Sequence, residues 1–149
     1  MKLLYFGNRS GERGSYPTVQ DELTPLFEQS YQVISVSDKK GNVKKGLDML
    51  FTFWKHIWHT DVVLIETFST KNFYYAIVIG VFSKIFRKPY INFLHGGDLP
   101  LRLKNFPILS KIAFKNSHAL VAPSNYMKVS FENYGYRPIL IPNMLTIEN

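Results

Sequence analysis

Cysteine is absent from the sequence. Without it a chain can form neither a disulfide framework nor a thiolate metal site, so disulfide-stapled domains and zinc-thiolate modules are excluded. The absence is compatible with a cytoplasmic protein.

Long apolar runs are missing as well. The longest, residues 73–82, has ten residues, whereas a helix that crosses a bilayer needs about 20. Only four apolar residues follow Lys2 before Gly7, too few for a secretory leader. We therefore expect a chain that is soluble or bound at a membrane surface.

Acidic residues are scarce: 11 Asp and Glu stand against 18 Lys and Arg, which gives a net charge of +7. The excess is concentrated in residues 71–128, where nine basic residues accompany a single acid, Asp98. A positive field of this kind suits phosphates on nucleotides, nucleic acids or lipid head groups. It is also compatible with an ordinary basic surface, and charge alone does not separate these.

Short apolar runs and helical patterns alternate along the whole chain. With 149 residues, of which 46% are hydrophobic, the length and composition predict one folded domain. Strands alternating with helices predict a parallel sheet with right-handed crossovers. We expect a Rossmann-like three-layer α/β/α domain over residues 1–149, with a mainly parallel sheet of six strands at residues 2–6, 32–37, 61–68, 90–94, 119–123 and 139–141.

Two helical segments have apolar stripes that predict their buried faces. Residues 43–60 have a stripe expected to face the core, and Met49 and Phe53 lie off it on the predicted surface; the stripe consists of Val43, Leu47, Leu50, Trp54 and Ile57. Residues 101–116 form a basic helical stretch interrupted at Pro107. Its expected inward residues are Ile108, Leu109, Ile112 and Ala113.

The motif with the most chemistry is the His95-Gly96-Gly97-Asp98 turn that follows the fourth predicted strand. Adjacent glycines let the backbone turn tightly and let a ligand approach closely. Ligands of open parallel sheets bind at the carboxyl ends of the strands, which makes this turn a candidate site. A plain turn with a backbone-bonded histidine is the alternative.

Other candidate motifs are weaker. Polar residues end the third strand, among them Glu66, Thr67 and Ser69. The glycine-rich loop after the first strand has neither the dinucleotide fingerprint nor the Gly-Lys-Ser/Thr of a P-loop. His56 and His59 lie three residues apart with no third ligand nearby, so no metal site is expected.

In order and spacing, these motifs resemble the N-terminal domain of family 4 glycosyltransferases with the GT-B fold. The resemblance covers essentially the whole chain. Its pieces are the loop at residues 7–18, the strand end at 66–70, Pro89-Tyr90-Ile91 leading into His95-Gly96-Gly97, then residues 121–124, Gly135-Tyr136 and Ile141-Pro142-Asn143.

The resemblance implies roles for particular residues. His95 would lie beside the donor sugar near the reacting centre, as the catalytic residue, and Pro142-Asn143 would lead out of the domain. The loop after the first strand would contact the acceptor. The implied substrate-binding residues are Asn8, Gly14, Ser15, Glu66, Thr67, Ser69, Gly96, Gly97, Asp98, Arg102 and Ser124.

The resemblance also implies substrates and partners. The donor would be a nucleotide-sugar used as co-substrate, with no metal or other cofactor, and the acceptor a glycan or a lipid-linked molecule. In the family, a second Rossmann-like domain holds the nucleotide, and no such residues occur before Asn149. We therefore expect this chain to be catalytically incomplete alone and to need a C-terminal GT-B domain in cis or in trans.

Other interpretations stay open. The chain could be a non-catalytic Rossmann-like module that binds a protein or an anionic partner. Nucleic acid is not expected, because the aromatic residues follow buried periodicities and do not interleave with Lys and Arg. A receiver or flavodoxin-like domain would need an acidic cluster or a phosphate loop after the first strand. Finally, the basic excess and the off-stripe Phe53 and Met49 predict peripheral contact with an anionic membrane, at its cytoplasmic face.

Overall fold

Six parallel strands form a single sheet in the computed structural model, which describes residues 1–7, 17–36 and 42–143. The elements in chain order are β1 (Lys2–Phe6), α1 (Val19–Glu28), β2 (Gln32–Ser35), α2 (Asn42–His56), a 3-10 turn (Ile57–His59), β3 (Val62–Thr67), α3 (Asn72–Ile85), β4 (Tyr90–Leu94), α4 (Leu99–Asn105), α5 (Pro107–Phe114), β5 (Ala119–Ala122), α6 (Asn125–Glu132) and β6 (Ile139–Leu140).

The strand order is β2-β1-β3-β4-β5-β6, and every neighbouring pair is parallel. This confirms the predicted Rossmann-like α/β fold and the predicted number of strands. The order changes direction at β1, since β2 lies on one side of it and β3 on the other. Ligands of doubly wound sheets bind at such a point, beyond the carboxyl ends of the strands.

The two faces of the sheet are covered unequally. On β1, Leu4 and Phe6 join a core with α2 and α3, whereas Leu3 and Tyr5 pack toward α1. Helices α3, α5 and α6 cover β4 and β5 on the α2 side as well. Among the described helices, α1 alone packs on the opposite face.

The predicted buried face of α2 is partly wrong: Ile57 is fully buried and Leu50 packs against the core as expected, but other positions differ. Phe53 is fully buried and Met49 nearly so, whereas Leu47 is 63% exposed and Trp54 about half exposed. Phe53 packs against the rings of Phe82 on α3 and of Phe86, which follows that helix. The face toward the core therefore contains Met49 and Phe53 besides the expected Leu50 and Ile57.

A glycine lies on the buried face of α2. A Cβ at Gly46 would lie 2.8 Å from the ring of Tyr75, so glycine allows α2 and α3 to approach closely at this point. A stripe of bulky apolar residues does not include Gly46, although this glycine lies on the buried face.

The predicted inward residues of α5 are partly wrong. Leu109 and Ala113 face inward as expected, but Ile108 is 75% exposed and Ile112 is 40% exposed. The buried side of the helix instead includes Ser110, whose hydroxyl donates to the carbonyl of Arg102 at 3.0 Å. This bond fixes the rotation of α5 after the break at residue 106. None of the described helices is long and apolar enough to cross a membrane.

Candidate functional site

The predicted polar motifs meet at the carboxyl edge of the sheet. Phe6 pairs with Ile65 and Thr67 with Leu94, so β1, β3 and β4 end side by side. The residues that follow these strands therefore lie along one edge. They include Gly7, Glu66 and His95, which the sequence predicts to lie together. Asn8, Gly14 and Ser15 lie outside the described residues.

His95 is the most distinctive group at this edge. It is only 7% exposed and stacks on Phe68, with ring centroids 5.1 Å apart. Its backbone N–H donates to the carbonyl of Thr67 at 2.9 Å, which extends the β3–β4 pairing by one residue. Its Nε2 atom is buried and has no hydrogen-bond partner among the described residues.

Burial sets the charge of this histidine. Removal from water lowers the pKa of His95 to about 4, because a low-dielectric environment disfavours the imidazolium. At neutral pH the ring is therefore uncharged, with one N–H and one acceptor nitrogen. Such a ring can make a directed hydrogen bond to a hydroxyl.

The glycine turn holds an exposed backbone beside the buried histidine. Gly96 has a φ of +84°, a conformation in which residues with a Cβ are strained. A Cβ on Gly97 would meet nothing within 4 Å, so open space lies beside the turn. The carbonyl of Gly97 accepts a hydrogen bond from the Tyr126 hydroxyl at 3.4 Å, and Asp98 is exposed.

Glu66 is part of a buried polar cluster under α1. Its Oε1 accepts a hydrogen bond from the Tyr5 hydroxyl at 2.8 Å. A Cβ at Gly7 would lie 2.6 Å from Oε2, so a larger residue at the end of β1 would displace the carboxylate of Glu66. Burial, followed by the nearby carboxylate, raises the pKa of Tyr5, which keeps its hydroxyl a donor.

Two residues of this cluster, Tyr5 and Gln20, are not among the site residues that the sequence predicts. Gln20 is fully buried on α1, and its Nε2 donates to the carbonyl of Tyr5 at 3.1 Å. The available signal was polar spacing: Gln20 and Thr24 are four residues apart, on a helix that begins just after the glycine-rich loop. An apolar pattern alone does not indicate that Gln20 and Thr24 are the buried residues of α1.

Arg102 organises a second part of the edge. Its Nε donates to the carbonyl of Ser69 at 2.8 Å. Its guanidinium lies 5.1–5.6 Å from three aromatic ring centroids, those of Phe73, Tyr74 and Phe106. This cation borders an open cavity of about 530 Å³, which Ser69 and Asp98 also line.

Two of the predicted binding residues make hydrogen bonds within the protein. Ser124 caps α6, since its Oγ accepts from the backbone N–H of Met127 at 3.2 Å. The Thr67 hydroxyl donates to Oδ1 of Asn92 at 3.0 Å inside the core. Both residues lie at the carboxyl edge of the sheet, as expected. The side chain of Thr67, however, is fully buried.

The edge thus combines a neutral buried imidazole, a buried carboxylate and a fixed guanidinium. In the part of the chain that the structure describes, no three His, Asp or Glu side chains are grouped as a metal site would require. A comparison with models of known protein families and with curated protein sequences found no match to this chain.

Proposed function

We propose that the chain is the acceptor-binding half of a glycosyltransferase, which moves a sugar from a nucleotide-sugar to a glycan or a lipid-linked acceptor. The observation that carries the proposal is His95. An imidazole that is buried, uncharged and without a partner for Nε2 among the described residues is costly, by about 1–3 kcal/mol. Such a group at the carboxyl edge of a parallel sheet is expected where a ligand supplies the missing hydrogen bond.

The chemistry of sugar transfer suits these groups. The bond between the sugar and the leaving diphosphate breaks while the acceptor oxygen forms the new bond, so negative charge grows on the diphosphate and positive charge on the sugar. A neutral His95 holds a sugar hydroxyl without adding charge beside the developing cation. The Arg102 guanidinium, held over aromatic rings at the same edge, contributes positive potential toward the diphosphate.

The sequence resemblance implies that two domains supply different parts of the site. A site of this type forms between two domains, and the present residues supply the acceptor side and the histidine. A second Rossmann-like domain, in cis or in trans, would supply the nucleotide-binding side. The chain alone is then expected to bind an acceptor weakly and to transfer no sugar.

The test measures nucleoside diphosphate release from a panel of nucleotide-sugars. We expect no turnover by the 149-residue chain alone, and turnover when a matching nucleotide-binding domain is added. His95→Ala should then lower kcat more than it weakens acceptor binding. His118→Ala is the matched control, since His118 is exposed at the amino end of β5. Turnover by the isolated chain, or equal effects of both variants, would refute the proposal.

The non-catalytic binding module predicts a different result. It would bind its partner without releasing nucleoside diphosphate under any combination of domains. The same variants would then change affinity alone, with no effect on a rate of transfer.

We further propose that the protein contacts an anionic membrane through α2 and α3. The predicted anchors Met49 and Phe53 are buried, so they cannot serve. Other apolar residues are exposed instead: Phe51 and Trp54 on α2, Trp58 on the 3-10 turn that follows it, and Ile85 at the end of α3. The rings of Trp54 and Trp58 pack on Phe86, just after α3, at 5.2 and 5.1 Å, which links these exposed rings to the end of α3.

Basic residues accompany these exposed apolar residues, which is the charge pattern of a membrane-surface site. They are Lys55 on α2 and Lys84, Arg87 and Lys88 at the end of α3. Each contributes on the order of 1 kcal/mol near an anionic surface. Sedimentation with anionic vesicles should show binding that weakens with salt and with Trp58→Ala, but not with Tyr126→Ala, which removes an exposed aromatic from α6. Equal binding to neutral vesicles, or no binding to anionic vesicles at low salt, would refute the proposed membrane contact.

A further inference from the structure

A cavity with three basic side chains lies at the amino edge of the sheet, where the strands begin. Its volume is about 550 Å³, which is within the range of small-molecule sites. Helix α5, the start of β5 and the connection between α6 and β6 surround it. Because Ile139 pairs with Val121, Arg137 lies beside the amino end of β5. The cavity is therefore separate from the carboxyl edge that bears His95.

The turn after α6 fixes one wall of this cavity. Gly135 has a φ of +85°, and the backbone N–H of Tyr136 donates to the carbonyl of Phe131 at 3.2 Å, as in a glycine-ended helix. The ring of Tyr136 then packs on Phe114 of α5, with centroids 5.8 Å apart. These contacts hold the segment that carries Arg137 against α5.

The charge in the cavity is of one sign. Among the described residues that line it, the Lys and Arg side chains of Lys111, Lys115 and Arg137 face no Asp or Glu. Lys111 and Lys115 are one helical turn apart, a spacing at which like charges repel. The acid nearest to Arg137 in the sequence, Glu132, pairs instead with Lys128 at 3.4 Å. An anion in the cavity would relieve this repulsion.

The end of a helix accounts for only part of this charge. Cations near a helix C-terminus stabilise the helix dipole, and Lys111 and Lys115 lie at the end of α5. Arg137 belongs to a different segment, between α6 and β6. The dipole of α5 therefore does not explain why a third cation lines the same cavity.

Charge and donor geometry indicate phosphate as the anion. The forked N–H groups of arginine match phosphate oxygens, and lysine binds phosphate as a point charge. One phosphate monoester carries about 1.5–2 negative charges at pH 7, which leaves a cation of the three without a partner. Two phosphoryl groups match all three.

We propose that this cavity binds a small soluble molecule with two phosphoryl groups, held by Lys111, Lys115 and Arg137. The buried side chains of Leu103 and Phe114 line its inner part, and such a concave site fits a small molecule better than a flat bilayer surface. The proposal does not depend on sugar transfer. It also uses none of the residues proposed to contact a membrane.

The test follows the binding of inorganic diphosphate and of inorganic phosphate to the isotope-labelled 149-residue chain by NMR. The buffer has low salt and no divalent metal ion. The backbone amide of Gly135 reports on the cavity and that of Gly96 on the carboxyl edge. We expect saturable shifts at Gly135 and none at Gly96, with diphosphate bound more tightly than phosphate.

Substitutions identify the cations that hold the anion. Arg137→Gln and Lys111→Gln should each weaken diphosphate binding about five- to tenfold, by loss of a charge-assisted hydrogen bond. Lys44→Gln removes the same charge from an exposed lysine of α2 that does not line the cavity, and should leave binding unchanged. Added salt should weaken binding, because exposed charges are screened. Far-UV circular dichroism checks that each variant is folded.

Three results would overturn the proposal. The first is absence of saturable shifts at Gly135, or equal affinity for phosphate and diphosphate. The second is binding that Arg102→Gln abolishes and Arg137→Gln does not, which would place the anion at the carboxyl edge. The third is binding of anionic vesicles that Arg137→Gln abolishes, with no binding of soluble diphosphate, which would assign these cations to lipid.

Discussion

Acid should destabilise the protein through His95. Its pKa in an unfolded chain is 6.5, and burial lowers it to about 4 in the fold. Between these values the unfolded chain takes up a proton that the folded protein does not, so the free energy of unfolding falls as the pH falls. The contribution is fully present above pH 6.5 and is lost as the pH approaches 4.

The expected loss is substantial. Each pH unit between the two pKa values is worth about 1.4 kcal/mol, so His95 accounts for about 3 kcal/mol by pH 4. That is a large share of the 5–15 kcal/mol that holds a typical domain folded.

Urea unfolding at a series of pH values measures this loss. The native protein is compared with His95→Gln, which removes the titrating group but keeps a polar side chain. The variant should lose less stability between pH 6.5 and 4, by about 3 kcal/mol. His118→Gln, at an exposed histidine, controls for the loss of an imidazole as such.

A direct titration decides whether the cause is correct. The ring protons of His95, followed by NMR, should show no titration above about pH 5. If they titrate near 6.5, or if both variants have the same pH dependence, the ring is hydrated. The dry, uncharged imidazole on which the proposed function depends would then be refuted.

Three further predictions concern packing and backbone. Phe53→Ala should cost about 3–5 kcal/mol in urea unfolding, and Phe51→Ala under about 1, because only the first ring is buried; equal losses would contradict the observed rotation of α2. Tyr5→Phe should cost about 1.5–3 kcal/mol at pH 7, since it removes a donor to a buried carboxylate; a neutral result would mean that water replaces the hydroxyl. Gly96→Ala should cost about 1–2 kcal/mol by its positive φ, and Gly97→Ala less; the reverse order would show a different turn.

The strands were predictable because their sequences are short apolar runs of clear length. Residues 61–68 are almost continuously apolar, as a strand covered on both sides requires, and β3 is found at Val62–Thr67. The alternation of strands and helices then left few topologies, because crossovers are short and right-handed.

Helix rotation was less predictable because two stripes overlap on α2. Residues three and four apart share a face, so the series that contains Trp54 and the series that contains Phe53 both fit the pattern. Sequence hydrophobicity does not rank them. The choice depends on contacts between the two helices, such as those of Phe53 with Phe82 and of Gly46 with Tyr75, which are properties of the packed pair.

The polar site was predicted in position and only partly in its contacts. Histidine, glycine and a carboxylate at strand ends indicated the edge, and the register of β1, β3 and β4 brings them to it. In the sequence, Tyr5 has the pattern of an ordinary aromatic residue of the core, so the polar contact of its hydroxyl was not predicted. Its bond to Glu66 joins residues 61 positions apart, and no local pattern encodes such a distance.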